Sequence, residues 1–80
     1  MKYYIVYGIT DCPSCLRAAA LLMERDEEYV TVEADFSKTY RRHIRDELNW
    51  VTFPIVVLVE GPKNIVIGGY HELEKHLGLL

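Results

Sequence analysis

Cys12 and Cys15 are the only cysteines in the chain, and they stand at the seam between two dissimilar segments. Upstream runs Tyr3-Tyr4-Ile5-Val6-Tyr7, a short apolar run of β-branched and aromatic residues that predicts a strand buried on both faces. Downstream runs Leu16 to Arg25, which predicts a helix. The pair therefore marks a strand-to-helix junction, with Asp11 or Cys12 as the helix cap and the first cysteine at the helix N-terminus. N–H groups of a first helical turn have no intrahelical partner, and the helix dipole places positive potential there. A thiolate at that point is stabilised, so the thiol ionises more readily and becomes a better nucleophile. Pro13 suits the first helical position, where an N–H would be unpartnered in any case. Residues at i and i+3 share one turn and are close enough to form a disulfide.

The rest of the composition narrows the setting. Eighty residues predict a single domain over 1–80, and a hydrophobic fraction of 50% is enough to build a small core. The net charge of −3, with Lys and Arg scattered apart from Arg41, Arg42 and Arg45, argues against a nucleic-acid partner. No run approaches the ~18 apolar residues of a membrane-spanning helix, and Lys2 is followed by too few apolar residues for a signal peptide. We expect a cytoplasmic protein. In a reducing compartment, two cysteines at this spacing point to catalysis or metal binding rather than to a structural staple. One chain supplies only two of the four ligands of a closed zinc site, and the spacing of His43, His71 and His76 adds no convincing set, so no metal is expected.

Taken in order, the remaining segments alternate. Leu16, Ala19, Ala20 and Met23 recur at helical spacing and predict the buried stripe of the first helix, which ends in the charged run Glu24 to Glu28. Tyr29 to Glu33 predicts a second strand, parallel to the first through a right-handed crossover. Asp35 or Ser37 can cap a second helix carrying Tyr40, Ile44 and Leu48 on one face, with Lys38, Arg41, Arg42 and Arg45 on or near a solvated one. Ile55 to Val59 is continuously apolar and predicts a central third strand. A turn over Glu60 to Asn64 leads to an antiparallel fourth strand, Ile65 to Ile67, broken by Gly68-Gly69. A last helix over Tyr70 to Leu77 turns Tyr70, Leu73 and Leu77 inward. The class is α/β, in the order βαβαββα, with a mixed sheet flanked by helices.

Three features in this order resemble the glutaredoxin family within the thioredoxin fold: Cys12-Pro13-Ser14-Cys15 after the first strand, Thr52-Phe53-Pro54 before the third, and Gly68-Gly69-Tyr70 after the fourth. The likeness runs from about Tyr3 to Leu77. It implies a four-stranded sheet of order 2-1-3-4 with three helices, and a cis bond before Pro54, where an X-Pro bond is trans by default. It also implies thiol–disulfide exchange, with Cys12 as nucleophile, Cys15 as resolving thiol and glutathione as reducing co-substrate. Thr52, Phe53 and Pro54 would lie against the cysteine pair, with the Phe53 backbone offered to an extended substrate. Gly69, Tyr70 and His71 would receive the γ-glutamyl end of glutathione. The implied partners are glutathione and disulfide-containing proteins, for a chain that nothing requires to be other than a monomer.

The chain departs from the family pattern at two places. Ser14 stands where most members carry Tyr, and Ile9-Thr10-Asp11 replaces the Lys or Arg that usually precedes the first cysteine. Asp11 disfavours a neighbouring thiolate, which predicts a less acidic Cys12 than in a typical member. Asn49-Trp50-Val51 lacks the Arg that some members place before the Thr-x-Pro turn; Lys38, Arg41 or Arg42 could serve the glycine carboxylate instead, and Trp50 is expected to pack near the site. The missing cation raises a variant reading, an electron donor to ribonucleotide reductase that is itself reduced by thioredoxin reductase. Two other classes stand further off: a dimer sharing an iron–sulfur cluster through Cys12 and glutathione, against which Pro13 speaks, and an interaction module with an idle cysteine pair.

Overall fold

Strand β1 (Lys2–Gly8) occupies an inner position of a four-stranded sheet ordered β2-β1-β3-β4, in a computed structural model that describes residues 1–79. The other elements are α1 (Pro13–Glu24), β2 (Tyr29–Glu33), α2 (Lys38–Leu48), β3 (Ile55–Glu60), β4 (Lys63–Gly68) and α3 (Tyr70–His76). β2 runs parallel to β1, while β3 is antiparallel to both β1 and β4. The sequence-based element order and the implied strand order both hold.

Alternation along β1 sorts its side chains. Tyr4 and Val6 are almost fully buried, whereas Tyr3, Ile5 and Tyr7 on the opposite face are only half-buried. The strand is thus not buried equally on both faces, as its unbroken apolar run suggested. Tyr4 stands opposite Leu58 and Val6 opposite Val56, and these two cross-strand pairs form the floor of the core. Ala18 and Leu22 of α1 and Leu73 of α3 close it from above, with Tyr70 and Leu77 packed at its margin. On the other face, burial raises the pKa of the Tyr7 phenol, and the nearby Tyr40 and Glu47 of α2 add to the effect.

The buried stripe of α1 differs from the expected one. Cys15, Ala18 and Leu22 turn inward, while Leu16 is 74% and Met23 64% exposed. The segment Leu16-Arg17-Ala18-Ala19-Ala20-Leu21-Leu22-Met23 is apolar on nearly every side, so its own periodicity selects no face. The stripe is instead fixed by Cys15, which shares a face with residues three and seven positions on. Alanine at position 18, with no exposed surface, lets the helix approach the sheet closely.

The second helix is capped by Ser37, whose hydroxyl accepts the Tyr40 N–H at 3.0 Å; Ile44 is buried, but Tyr40 remains 38% exposed. β4 is longer than expected, because Glu60 already pairs with Lys63 and the turn shrinks to Gly61-Pro62. β3 has only its last residue in solvent, in keeping with its central place.

Candidate active site

The loop from β1 to α1 is tied at two points to the segment that follows β2. The Ala34 N–H donates to the Gly8 carbonyl at 2.8 Å, and the Thr10 N–H donates to Asp35 Oδ2, also at 2.8 Å. After them Asp11 takes a left-handed φ of 54°, and the chain turns into α1 at Cys12. Cys12 is the N-cap: its Sγ accepts the Cys15 N–H at 3.2 Å, and its carbonyl oxygen accepts the N–H groups of Cys15 and Leu16. Pro13 follows at the first helical position. A sulfur that caps a helix points into the positive end of its dipole, where negative charge on it is favoured.

Cys12 and Cys15 are joined in a disulfide with their Cα atoms 5.3 Å apart. Cys15 is buried, 9% exposed, whereas Cys12 is only half-buried. Gly8 makes room for this pair. A Cβ at position 8 would lie 3.3 Å from both Cβ and Sγ of Cys15, tighter than packed side chains tolerate without a shift.

The segment leading into β3 meets the cysteine pair. The Phe53–Pro54 peptide bond is cis, as the resemblance implied, and the Phe53 carbonyl oxygen lies 3.9 Å from Cys12 Sγ. In the disulfide form that is a contact without a proton; once reduced, the Cys12 thiol can donate to this oxygen. Thr52 is exposed, Phe53 half-buried and Pro54 buried. The Pro54 carbonyl oxygen lies 3.7 Å from where a Gly69 Cβ would stand, so the Gly68-Gly69 step continues the line Cys12, Phe53, Pro54.

A sequence model of the family Glutaredoxin matches residues 4–61, well over half of the chain. The chain belongs to the glutaredoxin family. It is a thiol–disulfide oxidoreductase with Cys12 and Cys15 in the active-site position. A search of curated proteins by sequence gave no match. Among solved structures, the fold is similar to buckwheat glutaredoxin in complex with glutathione (TM-score 0.73, 23% identity, 99% of this chain and 73% of that one). It is also similar to glutaredoxin 1 of Francisella tularensis complexed with cacodylate (TM-score 0.70, 20% identity, 96% and 93%). The solution structure of the Brucella melitensis glutaredoxin is comparable (TM-score 0.69, 23% identity, 95% and 80%).

This glutaredoxin carries details that its motifs alone did not disclose. Glu72 accepts the Gly69 N–H on Oε1 at 2.9 Å, the glutamate half of a capping box, at the start of α3; the signal was a glutamate at the third position of a helix start. Trp50 lies over Gly68: a Cβ there would stand 2.8 and 2.9 Å from two carbons of the indole and 3.0 Å from Glu72 Cγ. Gly68 also has φ +122°, which L side chains avoid. Gly68→Ala should therefore cost about 2–3 kcal/mol in urea unfolding and displace the chain's single tryptophan, changing its fluorescence. An unchanged midpoint and spectrum would contradict this packing.

The other candidates make contacts of their own. His71 Nδ1 is 3.7 Å from Glu74 Oε1, and its side chain is largely exposed. His76 is not simply a polar surface residue, because its Nε2 lies 3.2 Å from the Tyr4 hydroxyl. Lys38 and Arg42 line a separate depression on α2 with Thr39, His43 and Asp46. Among the described residues, no three His, Cys, Asp or Glu side chains gather closely enough to hold a metal ion, and no helix is long and apolar enough to cross a membrane.

Asp35, read from sequence as an alternative cap for α2, instead tethers the active-site loop. The Thr10 N–H above all, with the Arg41 guanidinium adding to it, holds its carboxyl below the usual carboxylate range. A carboxyl depressed in the folded state stabilises it above the unfolded pKa, and that contribution fades as pH falls through the folded value. The stability difference between wild type and Asp35→Ala should thus be full at neutral pH and shrink toward zero below the ordinary aspartate range. Urea midpoints of both proteins over an acidic pH series check this; a difference that stays constant into acid would contradict it.

Proposed function

We propose that this chain reduces protein disulfides and glutathione mixed disulfides with glutathione as the electron source, in the cytoplasm and as a monomer. The observation that carries the reading is the line from the capping sulfur of Cys12 past the Phe53 carbonyl to Gly69. An extended thiol peptide laid along it would set its sulfur against Cys12 and its backbone against Phe53. Thr52, Phe53 and Pro54 form the middle of this proposed site, and Gly69, Tyr70 and His71 its far end. The known glutathione complex of the similar buckwheat protein supports the assignment.

The chemistry follows from the placement of the two sulfurs. The Cys12 thiolate attacks one sulfur of the target disulfide, and the displaced thiolate takes a proton. The mixed disulfide at Cys12 then has two exits. A deprotonated Cys15 can attack Cys12 Sγ and release a reduced protein, leaving the disulfide described above. Alternatively, where Cys12 carries glutathione, a second glutathione thiolate attacks the adduct, releases oxidised glutathione and regenerates Cys12 without Cys15. Ionisation of Cys12 rests on its place at the helix start, since Asp11 occupies ground where other members put a cation.

That same replacement favours a second reading, an electron donor to ribonucleotide reductase reduced by thioredoxin reductase. Turnover of a small mixed disulfide, coupled either to glutathione and glutathione reductase or to thioredoxin reductase, separates the two. The first reading expects turnover with glutathione. Turnover only with thioredoxin reductase would replace it with the second.

A further inference from the structure

On the β2 side of the disulfide, away from the segment that enters β3, lies a cleft of about 330 Å³. Cys12 and Cys15 themselves line it, together with Ile9, Leu16, Asp11 and Glu33. Its apolar part includes Leu16, which stands one residue past the resolving cysteine and is 74% exposed. Its charged part has one sign. Asp11 comes from the active-site loop and Glu33 from the end of β2, opposite Gly8 in the parallel register, and among the described residues no Lys or Arg lines the cleft. A third carboxylate, Asp35, is bonded to the Thr10 backbone of the same loop. The basic residues Lys38 and Arg42 line a different depression.

We propose that this cleft seats the flank of a polypeptide disulfide substrate that carries a lysine or arginine next to an apolar residue. Charge complementarity selects that occupant. A cation near the attacked sulfur meets Asp11 and Glu33, and its apolar neighbour covers Ile9 and Leu16. An acidic flank would meet like charge at Asp11 and Glu33, since Arg41, whose guanidinium acts on Asp35, does not line the cleft. The proposal rests on thiol–disulfide exchange at Cys12 and names its substrate class; it does not depend on which reductant regenerates the enzyme. In the reaction, the Cys12 thiolate bonds to the peptide sulfur and displaces a small thiolate, which takes a proton. Cys15 then loses its proton to solvent, bonds to Cys12 Sγ and releases the peptide thiolate. Two electrons pass from the dithiol to the substrate disulfide.

The test is a single-turnover reaction of the reduced wild-type protein, without glutathione. Two peptides of equal length carry one cysteine in a disulfide with mercaptoethanol, one flanked by Lys and Leu, the other by Glu and Leu. Each rate is divided by that peptide's rate with dithiothreitol, which removes differences in intrinsic sulfur reactivity. The Lys peptide should react about five- to tenfold faster at low ionic strength, through steering and retention by two fixed charges. The gap should narrow at about 0.5 M salt, and it should fall to roughly twofold or less in the Asp11→Asn/Glu33→Gln double variant. Equal normalised rates for wild type, a preference for the Glu peptide, or a gap that survives in the double variant would overturn the proposal. Hydroxyethyl disulfide serves as the neutral reference. If it is reduced while the peptides show no preference, exchange at Cys12 stands and the cleft assignment falls; if it is not reduced either, exchange itself fails.

Discussion

Cys12→Ser should abolish reduction of every disulfide substrate, lowering turnover on the order of 10³-fold or more, because a serine hydroxyl stays protonated where the thiol ionises. Cys15→Ser should behave differently on different substrates. With a glutathione mixed disulfide, the adduct at Cys12 is resolved by a second glutathione, so turnover persists. With a protein disulfide, the adduct stalls and accumulates. The asymmetry follows from position: Cys12 caps α1 and is half-buried, while Cys15 sits one turn further on, buried beside Gly8. Steady-state rates of both variants on both substrate types measure it. Loss of the glutathione-dependent activity in Cys15→Ser would mean that Cys15 acts on every turnover.

The largest expected effect on stability is that of Leu22→Ala. Leu22 has no exposed surface and packs with Tyr4, Val6, Val56 and Leu73 where α1 meets the sheet. Truncation there removes the transfer free energy of the lost methyl groups and leaves a cavity between α1 and the sheet, together about 2–5 kcal/mol. In a domain of this size that lowers the melting temperature by on the order of 15 °C, a large share of typical domain stability. By contrast, Met23→Ala, one position along but 64% exposed, should shift it by no more than about 2 °C. Thermal unfolding of the two variants therefore also tests the phase of α1. Equal losses, or a larger loss at Met23, would put the wrong face of the helix against the sheet.

That phase is the clearest limit on what the residues disclosed by themselves. The strand–cysteine–helix junction was legible because three local signals coincide there: an apolar strand ending at a glycine, a cysteine able to cap, and a proline at the first helical position. The buried face of α1 was not legible, because its residues from 16 to 23 are apolar on almost every side and only tertiary packing chooses among them. Asp35 was recognisable as a capping type, but its partner is 25 residues away in sequence, a distance no local rule spans. Glu72 followed a helix-start pattern and could have been named from it. Trp50 was placed near the site, yet its contact with Gly68 depends on how β4 meets the segment before β3.

Every step of the exchange requires that the cysteine at the start of α1 is the group that ionises and attacks. Limited alkylation of the reduced wild-type protein with iodoacetamide over a pH series, with each modified cysteine identified by peptide mapping, tests it most directly. Cys12 should be labelled first at every pH, with its rate rising at lower pH than that of Cys15. Its profile should nevertheless lie to the alkaline side of a glutaredoxin with a cation before the first cysteine, because Asp11 stands there. Labelling of Cys15 first, or of both residues at equal rates with one common pH dependence, would contradict the assignment of the nucleophile.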